Sequence, residues 1–491
     1  MKKTLYRSAP LSARFAIPSF PFRRSRRHLG SALAVSVAAL FLGGATSTQA
    51  QTWNLAGGGS WATAANWNPA SVPNAVGASV TFNGAATGSN PAQTANRSVN
   101  LDGAKTVGSI TFNNDLSTFT DTIATGTGGP LTFDEVGSGP ATITTQGTGT
   151  GNNTISVAMT FNDSVVANVN NTSASSAAGS LNLAGTIGGA GGFTKNGDGL
   201  ATFGTGAKTY TGATVLNGGR LRSSLAAAPT ATSSFIINAG GQLDIISSGT
   251  FSFGSGSLNL NGAGPTSGPF APFPGAIRPD TGLIITINNA VVLQSDTVLH
   301  MQGSATGSLT LGGSVSGPGK LTAGAIPHDA NVGAIVLSAA NSYTGGTVVD
   351  AGTLDVSGAS ATLGTADVTV HSANLAFGGS SEKLKIEGGV LNAIADTATL
   401  SLAGGNAAGV ADDGYADLGA GINDTVAALI LGGVAQAPGT YGSTSSGATF
   451  QSDEFFAGTG IITVVPEPGT AAMLLCALGM GFGWRRFRCR S

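Results

Sequence analysis

Cysteine is missing from the body of this chain. Cys476 and Cys489 both fall in the last 16 residues, so the body holds no disulfide framework and no Cys-based metal site. Charge is scarce too, at 9% of the 491 residues. Twelve of the 22 Lys and Arg lie outside residues 51–465, which keep ten basic residues against 23 acidic ones. A mildly acidic, low-charge body argues against non-specific binding to nucleic acid. Histidine is reduced to His300, His328 and His371 in the body. No G-x-S-x-G elbow, H-E-x-x-H or P-loop lysine is present, so no catalytic Ser-His-carboxylate set, metal centre or phosphate cradle is readable. No catalytic residue, cofactor-binding residue or metal ligand is therefore assigned. The Leu/Glu/Lys stretches that favour helices are few.

What the chain has is glycine, 76 residues of it, and 41% apolar residues. Disorder needs low hydrophobicity and high net charge, and neither applies. Short runs alternate apolar with small polar residues, the period of a half-buried strand. They include Ser79-Val80-Thr81-Phe82, Val99-Asn100-Leu101, Ser109-Ile110-Thr111-Phe112, Leu131-Thr132-Phe133, Ala141-Thr142-Ile143, Thr154-Ile155-Ser156-Val157 and Leu181-Asn182-Leu183. Glycine and asparagine punctuate them as turn residues do.

One unit occurs twice. Lys208 to Leu221 reads K-T-Y-T-G-A-T-V-L-N-G-G-R-L, and Asn341 to Leu354 reads N-S-Y-T-G-G-T-V-V-D-A-G-T-L. Tyr210, Thr211 and Gly212 align with Tyr343, Thr344 and Gly345. The unit extends upstream, where Leu181–Gly185 and Gly191–Thr194 align with Leu309–Gly313 and Gly319–Thr322. Self-similarity at such a spacing signals a repeat architecture. The expected fold is all-β, a parallel β-helix or β-solenoid spanning about 50–465. Each tyrosine is expected to pack at the same point of its rung, its hydroxyl meeting a turn backbone. Surface aromatics for sugar binding are the alternative.

Three of the four tryptophans, Trp53, Trp61 and Trp67, open the body. Solenoids need terminal caps, so an N-terminal cap is preferred to a sugar-stacking platform. Phe455 and Phe456 are expected to plug the other end. Five prolines between Pro265 and Pro279 supply no ladder donors, so this segment is expected to leave the stack as a loop. Asp412, Asp413 and Asp417, with Asp424 nearby, read as a solvated turn. A Ca²⁺ site is the alternative.

The ends carry addresses. Residues 1–50 combine a basic start, an apolar stretch from Leu29 to Gly44 and Thr48-Gln49-Ala50, the layout of a secretory signal with cleavage between Ala50 and Gln51. At the other end Val465 precedes Pro466-Glu467-Pro468, an apolar segment 470–484, and Arg485, Arg486, Arg488 and Arg490. At 1.5 Å per residue that segment reaches ~23 Å, short of a ~30 Å hydrocarbon core. Transient membrane anchoring suits it, with the arginines on the cytoplasmic side.

These motifs carry two resemblances. G-x-G-G-F-T-K-x-G-x-G, Y-T-G-x-T and G-x-L resemble the autotransporter-associated β-strand repeat of exported bacterial passengers, which implies a parallel β-helix. No membrane β-barrel segment follows, so the resemblance stops short of a self-transporting passenger. The tail resembles the PEP-CTERM sorting signal, which implies an exosortase-type enzyme that recognises Pro466-Glu467-Pro468 and removes the tail. The implied domain order is 1–50 signal, 51–100 Trp-rich cap and first strands, and 101–417 β-helix with repeats near 181–221 and 309–357. A closing β-module at 418–464 and the sorting tail at 465–491 follow. With no catalytic set readable, the expected function is that of a non-catalytic exported cell-surface or extracellular-matrix protein, and the PEP-CTERM resemblance implies its association with exopolysaccharide. A polysaccharide lyase or hydrolase on the same fold, and an adhesin, are the alternatives.

Overall fold

The computed structural model describes residues 50–170, 180–303, 306–324, 333–372, 382–405 and 407–465. The expected signal segment up to residue 49, the sorting tail from Pro466, and His328 lie outside the described residues. The described residues fall in one unit, built of short strands that pair in parallel with the strand one rung later. The strand runs read from sequence are strands here: Ser79–Asn83, Arg97–Asn100, Ser109–Asn113, Leu131–Phe133, Ala141–Gln146, Asn153–Ile155 and Leu181–Leu183.

In the first half each rung has three sides. One rung runs Asn153–Ile155, Met159–Phe161 and Val165–Val169. Its last strand lies on the first face, the stack from Ser79–Asn83 to Leu258–Gly262. Asn153–Ile155 lies on the second face, which reaches Gly241–Ile245. Met159–Phe161 lies on the third. Alternation along each strand sends one set of side chains inward. Rungs are ~4.8 Å apart, so like side chains stack: the Phe82 and Phe112 rings lie 5.3 Å apart at 16°.

Outside the first face, a second kind of stack forms. Asn196 Nδ2 donates to Asn168 Oδ1 (3.1 Å), Asn217 to Asn196 (2.8 Å), Asn238 to Asn217 (2.7 Å) and Asn261 to Asn238 (3.4 Å). Two of these steps are 21 residues long, the length of a short rung.

The two copies of the repeat do not sit on the same faces. The column of Phe193 runs through Thr214, Phe235, Leu258 and Val291 to Val315. Yet the sequence counterpart of Phe193 is Leu321, and that of Val315 is Ile187, on the third face. Leu321 stands instead on Thr297. Its neighbour Ala323 continues the second-face column through Leu243, Ile277 and Leu299. The long strand Val291–Leu299 straddles the corner, pairing with Leu258–Leu260 through its first part and with Leu321–Ala323 through its second. The proline-rich segment supplies the second-face side of its own rung through Ile277, between Leu258–Gly262 on the first face and Ile284–Ile287 on the next side. The two copies lie a whole number of three-sided rungs plus one side apart, so the second copy is displaced around the stack by one face.

That segment was expected to leave the stack, but it folds back onto the second face. Phe270 is buried, its ring 4.3 Å from the Arg220 guanidinium. Gln242 Nε2 donates to the carbonyls of Phe273 and Gly275, both at 2.8 Å. Proline's missing donors cost nothing where side chains on the sheet provide the hydrogen bonds.

Both ends are closed. Trp53, Trp61 and Trp67 are at most 1% exposed. Trp67 meets Trp53 and Trp61 edge-on at 4.9 and 4.8 Å, with Phe82 beneath all three. Their indole N–H groups donate to the carbonyls of Gly57, Pro73 and Trp61. They form a cap and offer no open ring face to a sugar. At the far end Val434–Ala435 turns back antiparallel on Ala428–Leu431, and Gly439–Gly442 on Ile461–Val464. These hairpins cover ladder edges that would otherwise template aggregation. Phe456 is buried and Phe455 packs half-buried against the core.

Candidate functional site

The repeated unit builds a corner. Tyr210 and Tyr343 are fully buried, and burial raises both phenols above their ordinary range. Each hydroxyl lies 2.7 Å from a threonine hydroxyl four residues on, Thr214 or Thr347. The principal partner is therefore a side chain, and for Tyr343 the Gly364 backbone is a second partner, as expected of a turn. The threonine at each strand start is buried beside the ring. Thr214 passes the bond on to Thr232 (3.1 Å). The Thr211 and Thr344 side chains are exposed, while their amides donate to Gly189 and Gly317 of the previous rung at 3.0 and 2.9 Å. Those two glycines hold φ of 111° and 109°, the left-handed region that favours glycine. Gly212 and Gly345 serve close approach instead. A Cβ on either would stand 2.3 Å from the backbone nitrogen of Gly192 or Lys320.

The first copy adds two buried amines that sequence reading assigned no role. Lys195 points inward between rungs and donates to the carbonyls of Gly197 (2.5 Å), Gly218 (2.8 Å) and Asn196 (3.4 Å). Lys208 donates to Gly185 (3.0 Å), Gly204 (3.3 Å) and Gly206. Burial pushes Lys195 down to about 7 and Lys208 to about 8. In the second copy these positions are Ala323 and Asn341. Asn341 there accepts from Val315 N (2.7 Å) and donates to Thr362 O (2.5 Å).

Other charges are also tied into the stack. Arg97 forks onto Asp121, Nε to Oδ1 at 2.5 Å and Nη2 to Oδ2 at 2.9 Å, with both side chains buried. Burial raises the Asp121 carboxyl, and Arg97 opposes that rise. Arg222 and Arg220 both face Asp244, at 2.9 and 3.6 Å. Burial lowers Arg220 to about 10.

Two members of the acidic cluster, Asp413 and Asp424, are buried and not part of a solvated turn, while Asp412 and Asp417 are half-buried. Asp413 and Asp424 are 3% and 2% exposed. Asp413 accepts the amides of Glu382 and Gly414. Asp424 accepts those of Ala393 and Ile394, and burial raises it to about 6. Their carboxylates cap backbone donors that the loops would otherwise bury unpaired. Among the described residues no group of three or more His, Cys, Asp or Glu is placed to hold a metal ion. His300 is buried, and His371 Nδ1 meets Asp350 Oδ1 at 2.5 Å on the surface.

Two shallow depressions lie among the described residues. One, about 310 Å³, lies among Gln51, Pro69, Pro73 and Asn74. The other, about 320 Å³, lies among Val410, Thr444, Asp453 and Phe456. Asp453 is the single ionisable residue of the two linings. Ala50 is exposed and Gln51, already buried, opens the first strand. Among the described residues no helix is long and apolar enough to cross a membrane.

The fold and its corners define a parallel β-solenoid of glycine-cornered repeats. Comparison with known families gives the particulars. Residues 193–222 and 332–356 match the Passenger-associated-transport-repeat, and residues 464–488 match the PEP-CTERM protein-sorting motif. The chain is thus a repeat solenoid carrying a PEP-CTERM motif, which implies an exported protein processed at the membrane by an exosortase. No curated protein matches the chain, and no solved structure matches it.

Proposed function

We propose that the processed chain is a non-catalytic structural protein of the cell surface or extracellular matrix, associated with exopolysaccharide. One observation carries this reading. Six buried ionisable side chains of the kind a catalytic centre would draw on are committed to the stack itself. Lys195 and Lys208 cap turn carbonyls, Arg97 and Asp121 join adjacent rungs, and Asp413 and Asp424 cap loop amides. A polysaccharide lyase or hydrolase needs clustered carboxylates and a base open to a groove, and neither of the two depressions described above is lined by more than one ionisable group.

The test is incubation of the purified protein with a panel of neutral and acidic polysaccharides, read by new reducing ends and by unsaturated products. No turnover is expected across the panel, with the protein recovered in the polysaccharide-rich extracellular fraction of its cells. Sustained cleavage of any one polymer overturns the non-catalytic reading.

A further inference from the structure

The first face carries a long uncharged surface. Across nine successive strands, from Ser79–Asn83 to the start of Val291–Leu299, no outward position holds a charged or aromatic residue. The body around it has 23 acidic and ten basic residues. One outward rank runs Thr81, Thr111 and Thr144, in register with Asn168. It continues as the asparagine ladder to Asn261. A parallel rank carries the hydroxyls of Ser109, Thr142 and Thr194 with Val166 between the two threonines, and then Val215, Ile236, Asn259 and Val292.

The ladder leaves binding capacity free. Each amide offers two donors and two acceptor lone pairs. A ladder bond uses one of each, and the asparagines are half-buried or exposed. The remaining donors and acceptors are fixed in a line at the strand spacing of ~4.8 Å. They lose little freedom on binding, which lowers the ordering cost of each contact.

We propose that this face holds a neutral polysaccharide chain lying along the stack, with its hydroxyls against the amide and hydroxyl ranks. The inference rests on the exopolysaccharide reading above and narrows it. An extended β-linked glycan repeats its hydroxyls at about one strand spacing, so one register serves many sugars. An acidic polymer gains no ion pair on this face and meets repulsion from the acidic body. A second copy of the chain is the poorer occupant. Nine strands give ~40 Å by ~10 Å, about 400 Å², against ~800 Å² per partner in a stable interface. Each sugar contact is a solvent-exchanged hydrogen bond of small net value, so affinity accumulates with chain length.

The experiment is retention of the full protein on cellulose, curdlan and alginate, with free hexasaccharide and long soluble β-glucan as competitors. Retention by a neutral glucan is expected, with the long glucan competing at least tenfold better than the hexasaccharide. The paired variant Thr111→Glu/Thr144→Glu lowers retention at least tenfold. Its matched control on the second face, Thr122→Glu/Thr154→Glu, stays within twofold. Thr111→Glu alone gives a partial loss and guards against misfolding of the pair, with circular dichroism checking each variant. Equal loss in both pairs overturns the placement. Retention on alginate alone overturns the neutral chain and leaves the polysaccharide reading standing. No retention on any polymer overturns both. Self-association that disappears in the first pair makes the face a homotypic interface and overturns the proposal.

Discussion

Replacing Lys195 by methionine removes the donor that three turn carbonyls share while keeping most of the apolar stem. Asn196, Gly197 and Gly218 lose their bonds to Nζ. Leaving a buried acceptor unpaired costs ~1–3 kcal/mol, and removing a buried amine relieves part of that through desolvation. The expected net loss is ~2 kcal/mol near pH 7, confined to the rungs around Gly197 and Gly218 because solenoid rungs couple to their neighbours. The pH dependence has a definite sign. Burial lowers the folded amine to about 7 from an ordinary value of 10.5. Between those values the unfolded chain binds the extra proton, so the wild-type stack gains stability as pH rises. The methionine variant lacks this gain. The gap therefore widens by up to ~3 kcal/mol between pH 7 and 9.5. Amide hydrogen exchange, corrected for the intrinsic rate at each pH, reads it rung by rung. A variant as protected as wild type, or a gap that shrinks with rising pH, refutes the role given to Lys195.

Other substitutions follow from the same geometry. Tyr210→Phe removes one hydroxyl whose partner Thr214 keeps Thr232, and is expected to cost ~1 kcal/mol in thermal unfolding, against ~3–5 kcal/mol for Tyr210→Ala. Arg97→Met strands the buried Asp121 carboxylate and is expected to cost ~3–5 kcal/mol, while Arg97→Met/Asp121→Leu recovers most of that loss in a double-mutant cycle. Gly212→Ala places a Cβ 2.3 Å from Gly192 N, so the rungs there must separate, and faster amide exchange at Gly191–Thr194 is the expected readout. Trp61→Ala opens the cap at an expected cost of ~3–5 kcal/mol, seen as protease cutting near the first strands.

Much of this fold is legible in the sequence because the solenoid is local. A strand such as Leu131-Thr132-Phe133 shows its inside and outside in three residues, and a repeated Gly marks a repeated corner. The tryptophan cap was readable because bulky apolar rings at one end of a stacked core have one place to go. The face step was not. It depends on how many residues wind each rung, and the proline-rich segment disguises an ordinary side of its rung as a loop. The asparagine ladder was hidden for the same reason, since Asn196, Asn217 and Asn238 align only once a 21-residue rung is known. Lys195 and Lys208 were passed over because a lysine in a polar turn reads as solvated. Nothing local tells that the turn carbonyls converge on its amine. Asp413 and Asp424 misled in the same way, as carboxylates buried by loops that arrive from distant rungs.

The central claim is that this solenoid is exported and has its tail removed at the sorting motif. Cell fractionation with intact-mass analysis tests it most directly. The account predicts an extracellular or surface product beginning near Gln51 and ending near Pro466, and retention of the tail when Pro466-Glu467-Pro468 is replaced by alanines. A full-length chain in the cytoplasm, or a tail removed equally well without the motif, would contradict it.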